Sequence, residues 1–209
     1  MSYNVGVIMF PGSNCVQETI DFFNFLECDV LSIFHKETNI PKLDLYILPG
    51  GFSYGDYIRT GMLSSKSPVM NEIEKHARQG SKVLGICNGF QILCERKMLP
   101  GTLRKNKNLT FICDIVRIRK IQTNKLYVLP IAHGEGNYYH TNPSEVNVAY
   151  RYVYDINGSV ENIAGIYNDE GNVLGIMPHP ERAFKRYHPV SYTHLRAHET
   201  PEHLVCRLL

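Results

Sequence analysis

Apolar residues in the first ninety positions gather into short, nearly unbroken runs separated by polar stretches. Such runs are typical of parallel strands that are covered on both faces. Between the first two runs, Ile20, Phe23 and Leu26 recur at helical spacing behind Asn14, which is a suitable N-cap. The pattern therefore predicts a doubly wound α/β fold with a mostly parallel sheet. The predicted strands are residues 5–10, 29–34, 43–48 and 82–86, and a second helix is predicted over residues 69–77.

The pattern changes in the second half, where apolar strands follow one another without a helix between them. Residues 111–118 and 126–131 are such a pair, and residues 163–167 and 173–177 frame the turn sequence 168–171. This arrangement predicts an antiparallel extension of the sheet. Because no repeat or linker interrupts the chain, residues 1–183 are predicted to form one domain.

Composition narrows the function classes. Twenty-two Lys and Arg are scattered among 20 Asp and Glu, giving a net charge of +2, so no nucleic-acid or anionic-membrane footprint is predicted. The apolar run at residues 5–10 has no basic flank and is too short for a signal peptide or a membrane span, which favours a cytoplasmic protein. Six cysteines without a CxxC pair indicate reduced thiols and no metal site.

Cys87 is the leading candidate nucleophile. It follows the predicted strand at residues 82–86, lies between Gly85 and Gly89, and precedes a second helical pattern. Flanking glycines tolerate a sharp strand-to-helix turn, and a helix N-terminus favours the thiolate, which is the reactive form of cysteine. A buried cysteine with a packing role is the alternative interpretation.

His179 and Glu181 are the candidate base and its orienting partner. In an extended segment residues i and i+2 share a face, so Glu181 could accept a hydrogen bond from the imidazole of His179, with Pro180 stiffening the link. A solvated surface pair is the alternative for this motif alone. Together with Cys87, the two residues provide the parts of a covalent-catalysis triad.

Residues 49–56 (PGGFSYGD) form a candidate anion cradle. They lack the ending of a phosphate loop, but glycine N–H groups can approach a developing oxyanion closely. Gly51 is the candidate donor, and the N–H of Asn88 is the second. A flexible surface loop is the alternative. Residues 133–137 (HGEGN) could line the same crevice, but a polar turn explains them equally well, and His133 is assigned no catalytic role.

These motifs resemble those of class I glutamine amidotransferases. Residues 85–91 (GICNGFQ) together with residues 179–181 (HPE) carry the resemblance, and it extends from the N-terminus to Ala183. Further matches at residues 11–15, 49–57, 132–137 and 177–183 resemble the members that serve a synthetase of purine biosynthesis. The resemblance implies a flavodoxin-like fold and places Gln91 and Gly50 at the bound substrate.

The resemblance also implies a reaction and its partners. Cys87 attacks the side-chain amide of glutamine, His179 transfers the proton, and ammonia passes to a large synthetase subunit that converts formylglycinamide ribonucleotide to formylglycinamidine ribonucleotide. ATP and magnesium are expected on that synthetase, a small third subunit is expected in the complex, and no cofactor is expected on this chain. Cys15, Cys28, Cys94 and Cys113 are expected to be dispensable.

The chain departs from this family in two places. Residues 118–129 look shorter than usual, and residues 184–209 form an atypical tail that resembles an out-of-frame or adapter-derived translation. The histidines and Cys206 of the tail match no common zinc spacing. The tail is predicted to pack poorly from about Tyr187 onward and to be cleaved first in limited proteolysis.

Three other functions stay open at this point. One is a different cysteine hydrolase of the same fold, such as a γ-glutamyl peptidase or a protease-like protein. The second is a truncated member with impaired catalysis. The third is a regulatory subunit without activity, which would be expected to lack the nucleophile or the base. Both residue types are present.

Overall fold

The structure is a computed structural model that describes residues 2–183, and the predictions made for the tail lie outside these residues. In the first half, strands and helices alternate. The strands are β1 (Asn4–Met9), β2 (Asp29–Phe34), β3 (Leu45–Leu48) and β4 (Lys82–Ile86), and the helices are α1 (Val16–Phe25), α2 (Met62–Ser65), α3 (Val69–Arg78) and α4 (Asn88–Glu95).

The second half consists mainly of strands. They are β5 (Thr102–Arg104), β6 (Ile112–Lys120), β7 (Leu126–His133), β8 (Asn137–Tyr139), β9 (Asn147–Tyr152), β10 (Ile163–Tyr167) and β11 (Val173–Ile176). Short 3-10 turns occur at Ser53–Asp56, Pro143–Glu145, Val160–Asn162 and Pro180–Arg182.

A single large sheet organises the described residues, with strand order β2-β1-β3-β4-β11-β10-β9-β6-β7. The pairings from β2 to β11 are parallel, and those from β11 to β7 are antiparallel. The predicted α/β class with its antiparallel extension is therefore confirmed. β5 and β8 form a separate two-stranded sheet.

The apolar runs predicted the central strands well because these strands are buried on both faces. Every residue of β3, β10 and β11 is buried, whereas β2 at the sheet edge buries only Ile33 fully. The predicted hairpin is present, since β10 and β11 pair across a turn closed by Asn168 N donating to Val173 O at 3.0 Å. In the described part of the chain, no helix has both the length and the apolar character to cross a membrane.

Several predicted boundaries are wrong by one or two residues, and two of them bear on local packing. The N-cap of α1 is Cys15 rather than Asn14, and its side chain makes no capping bond. Asn14 is instead packed against Gly51, where a Cβ atom would lie 2.6 Å from Asn14 N. β3 begins at Leu45 rather than Leu43, because the N–H of Leu43 donates to the hydroxyl of Tyr46 and not to a neighbouring strand.

Candidate active site

The turn between β4 and α4 is a sharp elbow at Cys87. This residue has φ 50° and ψ −103°, a conformation that non-glycine residues rarely adopt. Its N–H donates to Ile176 O of β11 at 2.8 Å, which ties the elbow to the neighbouring strand. Cys87 is therefore held by the surrounding sheet in a strained conformation, as is common at functional sites.

Two glycines allow the elbow to pack closely. A Cβ atom at Gly89 would lie 1.9 Å from Leu48 O, and one at Gly85 would lie 2.6 Å from the backbone of Gly89. The first turn of α4 therefore packs directly on the ends of β3 and β4. The strand-turn-helix arrangement predicted around Cys87 is present, and the thiol lies 3.7 Å from Ala132 O at the end of β7.

His179 and Glu181 form a buried hydrogen-bonded pair. His179 Nδ1 lies 2.6 Å from Glu181 Oε1, and both side chains are almost completely buried. The two residues meet through the 3-10 turn Pro180–Arg182 rather than through the extended segment that was predicted. The N–H of His179 donates to Pro130 O at 2.8 Å, which anchors the turn to β7.

The electrostatic environment favours a charged imidazole. Burial alone lowers the pKa of His179, but the charges of Glu181 and Cys87, together with the hydrogen bond to Glu181, raise it above its usual value. Because Nδ1 is bound to Glu181, only Nε2 is available to exchange a proton with a thiol. This nitrogen is buried and has no hydrogen-bond partner among the described residues.

A second thiol, Cys15, lies beside the pair. Its Sγ, a ring nitrogen of His179 and a carboxylate oxygen of Glu181 all lie within 4.8 Å of one another. Burial and then the charge of Glu181 raise the pKa of Cys15 to about 12, so it remains a protonated thiol. Cys15 is thus chemically unsuited to be the nucleophile, despite its closeness.

The same three groups could in principle hold a metal ion. However, Arg182 Nη2 lies 2.9 Å from Cys15 Sγ, and the guanidinium already brings a positive charge to this cluster. A second cation would be repelled. The cluster is better described as a thiol bonded to Arg182 beside the His179–Glu181 pair.

The glycines of the predicted anion cradle border this pair. A Cβ atom at Gly50 would lie 2.7 Å from Cε1 of His179 and 3.4 Å from Cys15 Sγ, so the glycine allows the strand end to lie against the imidazole. Gly51 has φ 126° and packs against residues 13 and 14. Asn88 Oδ1 accepts a 3.4 Å bond from Ser53 N, which joins this loop to the elbow.

Gln91 connects the elbow to a third loop. Its Oε1 accepts from Asn88 Nδ2 at 2.8 Å, and its Nε2 donates to Glu135 O at 2.7 Å. The side chain is buried and used in internal bonds. It links residue 135 to Asn88 of the Cys87 elbow, and its direct contact with a substrate stays a prediction.

His133 has a more specific environment than the sequence indicated. Its Nδ1 lies 3.0 Å from Asn106 Oδ1, and Asn106 also donates to His133 O. A Cβ atom at Gly136 would lie 2.3 Å from the ring, so the glycine is needed for this packing. Burial, and then the charge of His179, lower the pKa of His133 to about 4, which keeps its ring neutral. In the sequence, the two glycines at 134 and 136 were the feature that could have indicated this close packing around His133.

The loop at residues 52–60 overlaps the predicted anion cradle and is strained. Tyr54, Asp56 and Ile58 all have positive φ, which is a clear outlier for the β-branched Ile58. Ile58 is 84% exposed, and Thr60 Oγ1 donates to Glu135 Oε2 at 2.8 Å. An exposed apolar loop is thus bonded directly to a loop that contacts Gln91.

A family model described as a CobB/CobQ-like glutamine amidotransferase domain matches residues 2–205. The chain therefore belongs to this family of glutamine amidotransferases, as the sequence motifs predicted.

Two curated relatives show which members of the family the chain resembles. The chain is 46% identical over 200 residues to phosphoribosylformylglycinamidine synthase subunit PurQ of Trichormus variabilis, covering 85% of this chain and 88% of the relative. It is 44% identical over 203 residues to the PurQ subunit of Methanopyrus kandleri, covering 87% of this chain and 90% of the relative.

Solved structures agree. A chain in the structure of PurLQS from Thermotoga maritima superposes with a TM-score of 0.84 at 39% identity, covering 89% of this chain and 91% of that one. A glutamine amidotransferase of Thermotoga maritima gives a TM-score of 0.61 at 19% identity, covering 87% and 77%, which shows a shared fold.

Proposed function

We propose that this chain is the glutaminase subunit of phosphoribosylformylglycinamidine synthase and supplies ammonia to a large synthetase subunit. The observation that carries the proposal is the strained Cys87 elbow beside the buried His179–Glu181 pair. The identity to PurQ subunits along most of both chains supports the same function.

In the proposed reaction, Cys87 transfers its proton to Nε2 of His179 before the attack, and the resulting thiolate, paired with the imidazolium, attacks the amide carbon of glutamine. Glu181 stabilises the imidazolium through Nδ1. The N–H groups of Gly51 and Asn88 hold the oxyanion of the tetrahedral intermediate. As this intermediate collapses, His179 returns the proton to the departing nitrogen, and ammonia leaves.

The remaining γ-glutamyl thioester is cleaved by water. His179 removes a proton from the water, glutamate is released, and the proton returns to the sulfur of Cys87, which completes the cycle. Gln91 and Gly50 shape the substrate pocket. No step uses a metal or a cofactor on this chain, because ATP and magnesium belong to the synthetase. A small third subunit and a cytoplasmic location complete the proposal.

The exposed loop at residues 52–60 is the proposed link between assembly and activity. Since this loop bonds to Glu135 and to the elbow, docking of the synthetase on its apolar side would order the crevice. Glutamine hydrolysis should therefore be slow for the isolated chain and rise when the synthetase is added.

The experiment measures glutamine hydrolysis with and without the synthetase, for the wild type and for Ile58→Asp. Ile58→Asp should keep the slow activity of the isolated chain but need more synthetase for stimulation. Leu31→Asp, a matched change at an exposed apolar position on edge strand β2, should respond like the wild type. Faster hydrolysis of γ-glutamyl peptides than of glutamine, without a response to the synthetase, would favour the peptidase alternative instead.

A further inference from the structure

Asn106 is a fully buried asparagine that the proposed reaction does not use. Its Nδ2 donates to His133 O and to Thr110 O, both at 2.8 Å. Its Oδ1 accepts from Gly136 N at 3.1 Å and lies 3.0 Å from His133 Nδ1. These four contacts occupy both donors and both lone pairs of the amide. The side chain of Asn106 is therefore a hydrogen-bonded anchor for the loop at residues 133–137.

These contacts also fix the position of the proton on the ring of His133. Because Nδ2 of Asn106 faces two carbonyl oxygens, Oδ1 is the atom that faces the ring, and it can only accept a hydrogen bond. Nδ1 of His133 must then carry the proton. Nε2 has no partner among the described residues, so a proton there would be a buried donor without an acceptor. The ring is therefore neutral, in agreement with its lowered pKa, and is protonated on Nδ1.

The anchored loop is joined to the elbow through a single peptide group. The N–H of Gly136, which donates to Asn106, and the carbonyl of Glu135 belong to the same planar peptide. That carbonyl accepts from Gln91 Nε2 at 2.7 Å, while Gln91 Oε1 accepts from Asn88 Nδ2 at 2.8 Å. Asn106 and Gln91 thus hold this peptide from opposite ends. Since Asn88 follows Cys87 and provides a proposed oxyanion donor, the series of bonds ends at the reaction site.

We propose that Asn106 is a positioning residue, which holds the peptide between Glu135 and Gly136 in the orientation that Gln91 requires. Without Asn106, the buried N–H of Gly136 loses its acceptor, and the peptide turns to find another. Gln91 then loses its own acceptor, and Asn88 is no longer held in register with the oxyanion. This inference rests on the proposed function, and Asn106 acts through other residues rather than on the reacting atoms.

The first measurement determines which nitrogen of His133 carries the proton. The full chain is labelled with ¹⁵N-histidine and studied by NMR at neutral pH, and His133→Gln identifies the signals of this residue. The proposal predicts a protonated Nδ1 and an unprotonated Nε2, because Asn106 presents only an acceptor to the ring. A proton on Nε2 would overturn the proposal. This measurement uses the wild type, so it is decisive even if variants of Asn106 do not fold.

The second measurement compares the kinetics of two asparagine variants, each assembled with the synthetase and assayed well below its unfolding temperature. Asn106→Ala should lower kcat for glutamine hydrolysis about ten- to a hundredfold with little change in KM, because displaced oxyanion donors act on the transition state. Asn172→Ala is the matched control, since Asn172 Nδ2 also donates to two carbonyl oxygens, of Ala77 and Ser81. It should lose stability and keep its kcat. Equal losses of kcat in both variants, or none in Asn106→Ala, would contradict the proposal.

A double-mutant cycle tests whether the effect passes through Gln91. If it does, Asn106→Ala should have little further effect on kcat in a chain that already carries Gln91→Ala, because the bond to the loop is already lost. Losses that multiply as if the two sites were independent would rule out this path. A wild-type complex without glutaminase activity would refute the proposed function itself, whereas the proton position on His133 would still test the anchor.

Discussion

At the scale of single residues, two neighbouring buried histidines have different protonation states because their partners differ. His179 gains a charged partner in Glu181 and has a raised pKa, whereas His133 is bound to the neutral amide of Asn106 and has a lowered pKa. The difference follows from the partners, because desolvation opposes the charged form at both positions. One ring is thus suited to transfer a proton, and the other is suited to stay neutral.

Glu181→Gln should move the alkaline limb of the pH profile of glutaminase activity to lower pH. The carboxylate raises the pKa of His179, so its loss lowers this pKa and the imidazolium gives up its proton at lower pH. Activity should also fall at least about a hundredfold, as for other triads that lose the orienting acid. Measurement of kcat against pH checks both effects, with exposed Glu170→Gln as the control. An unchanged limb would contradict the assigned role of Glu181.

His133 should make stability depend on pH below neutrality. Because its folded pKa of about 4 lies below the ordinary value of 6.5, the unfolded chain binds a proton between these values while the folded chain does not. The contribution of His133 to the free energy of unfolding is about 3 kcal/mol. It is therefore fully present above about pH 6.5 and is lost as pH falls toward 4. Urea unfolding at several pH values should show a flatter dependence for His133→Gln. If the free energy of unfolding changed with pH equally in the wild type and in His133→Gln, the lowered pKa of His133 would be refuted.

At the scale of elements, the site depends on how closely α4 approaches the sheet. Gly85 and Gly89 remove the side chains that would separate the helix from the ends of β3 and β4. The elbow therefore places Cys87 at the carboxyl ends of the parallel strands, where ligands bind in open α/β sheets. The antiparallel half contributes β7, which provides Ala132 O beside the thiol and Pro130 O beside His179.

Gly89→Ala should damage stability and activity together. The added methyl group would lie 1.9 Å from Leu48 O, so α4 must move away from β3. Overpacking of this kind costs about 1 to 3 kcal/mol. Thermal unfolding and glutamine hydrolysis measure the two effects. Gly134→Ala is the matched control, because its nearest neighbour would be 3.8 Å away, and an equal loss in both variants would contradict this explanation.

At the scale of the whole molecule, the sequence predicted the parts that local pattern controls. Continuous apolar runs located β1, β2 and β4 to within about a residue, and the glycines around Cys87 located the elbow. β9 was missed because its exposed and buried residues give no clear alternation, and its pairing with β6 and β10 is set by the sheet.

Contacts between distant segments could not be predicted from local pattern. Cys15 was expected to be dispensable for chemistry. The structure brings it to Arg182, 167 residues away, and to the His179–Glu181 pair. The same limit applies to Asn106, whose partner His133 is 27 residues away at the end of β7. Such contacts arise only when the whole sheet is assembled.

The central claim is that Cys87 releases ammonia from glutamine for use by the synthetase. Its most direct test is the complex of the synthetase with Cys87→Ala, supplied either with glutamine or with an ammonium salt, and followed by formation of formylglycinamidine ribonucleotide. The account predicts that synthesis from glutamine is abolished, while synthesis from ammonium proceeds at the wild-type rate. Undiminished synthesis from glutamine in the Cys87→Ala complex would contradict the account.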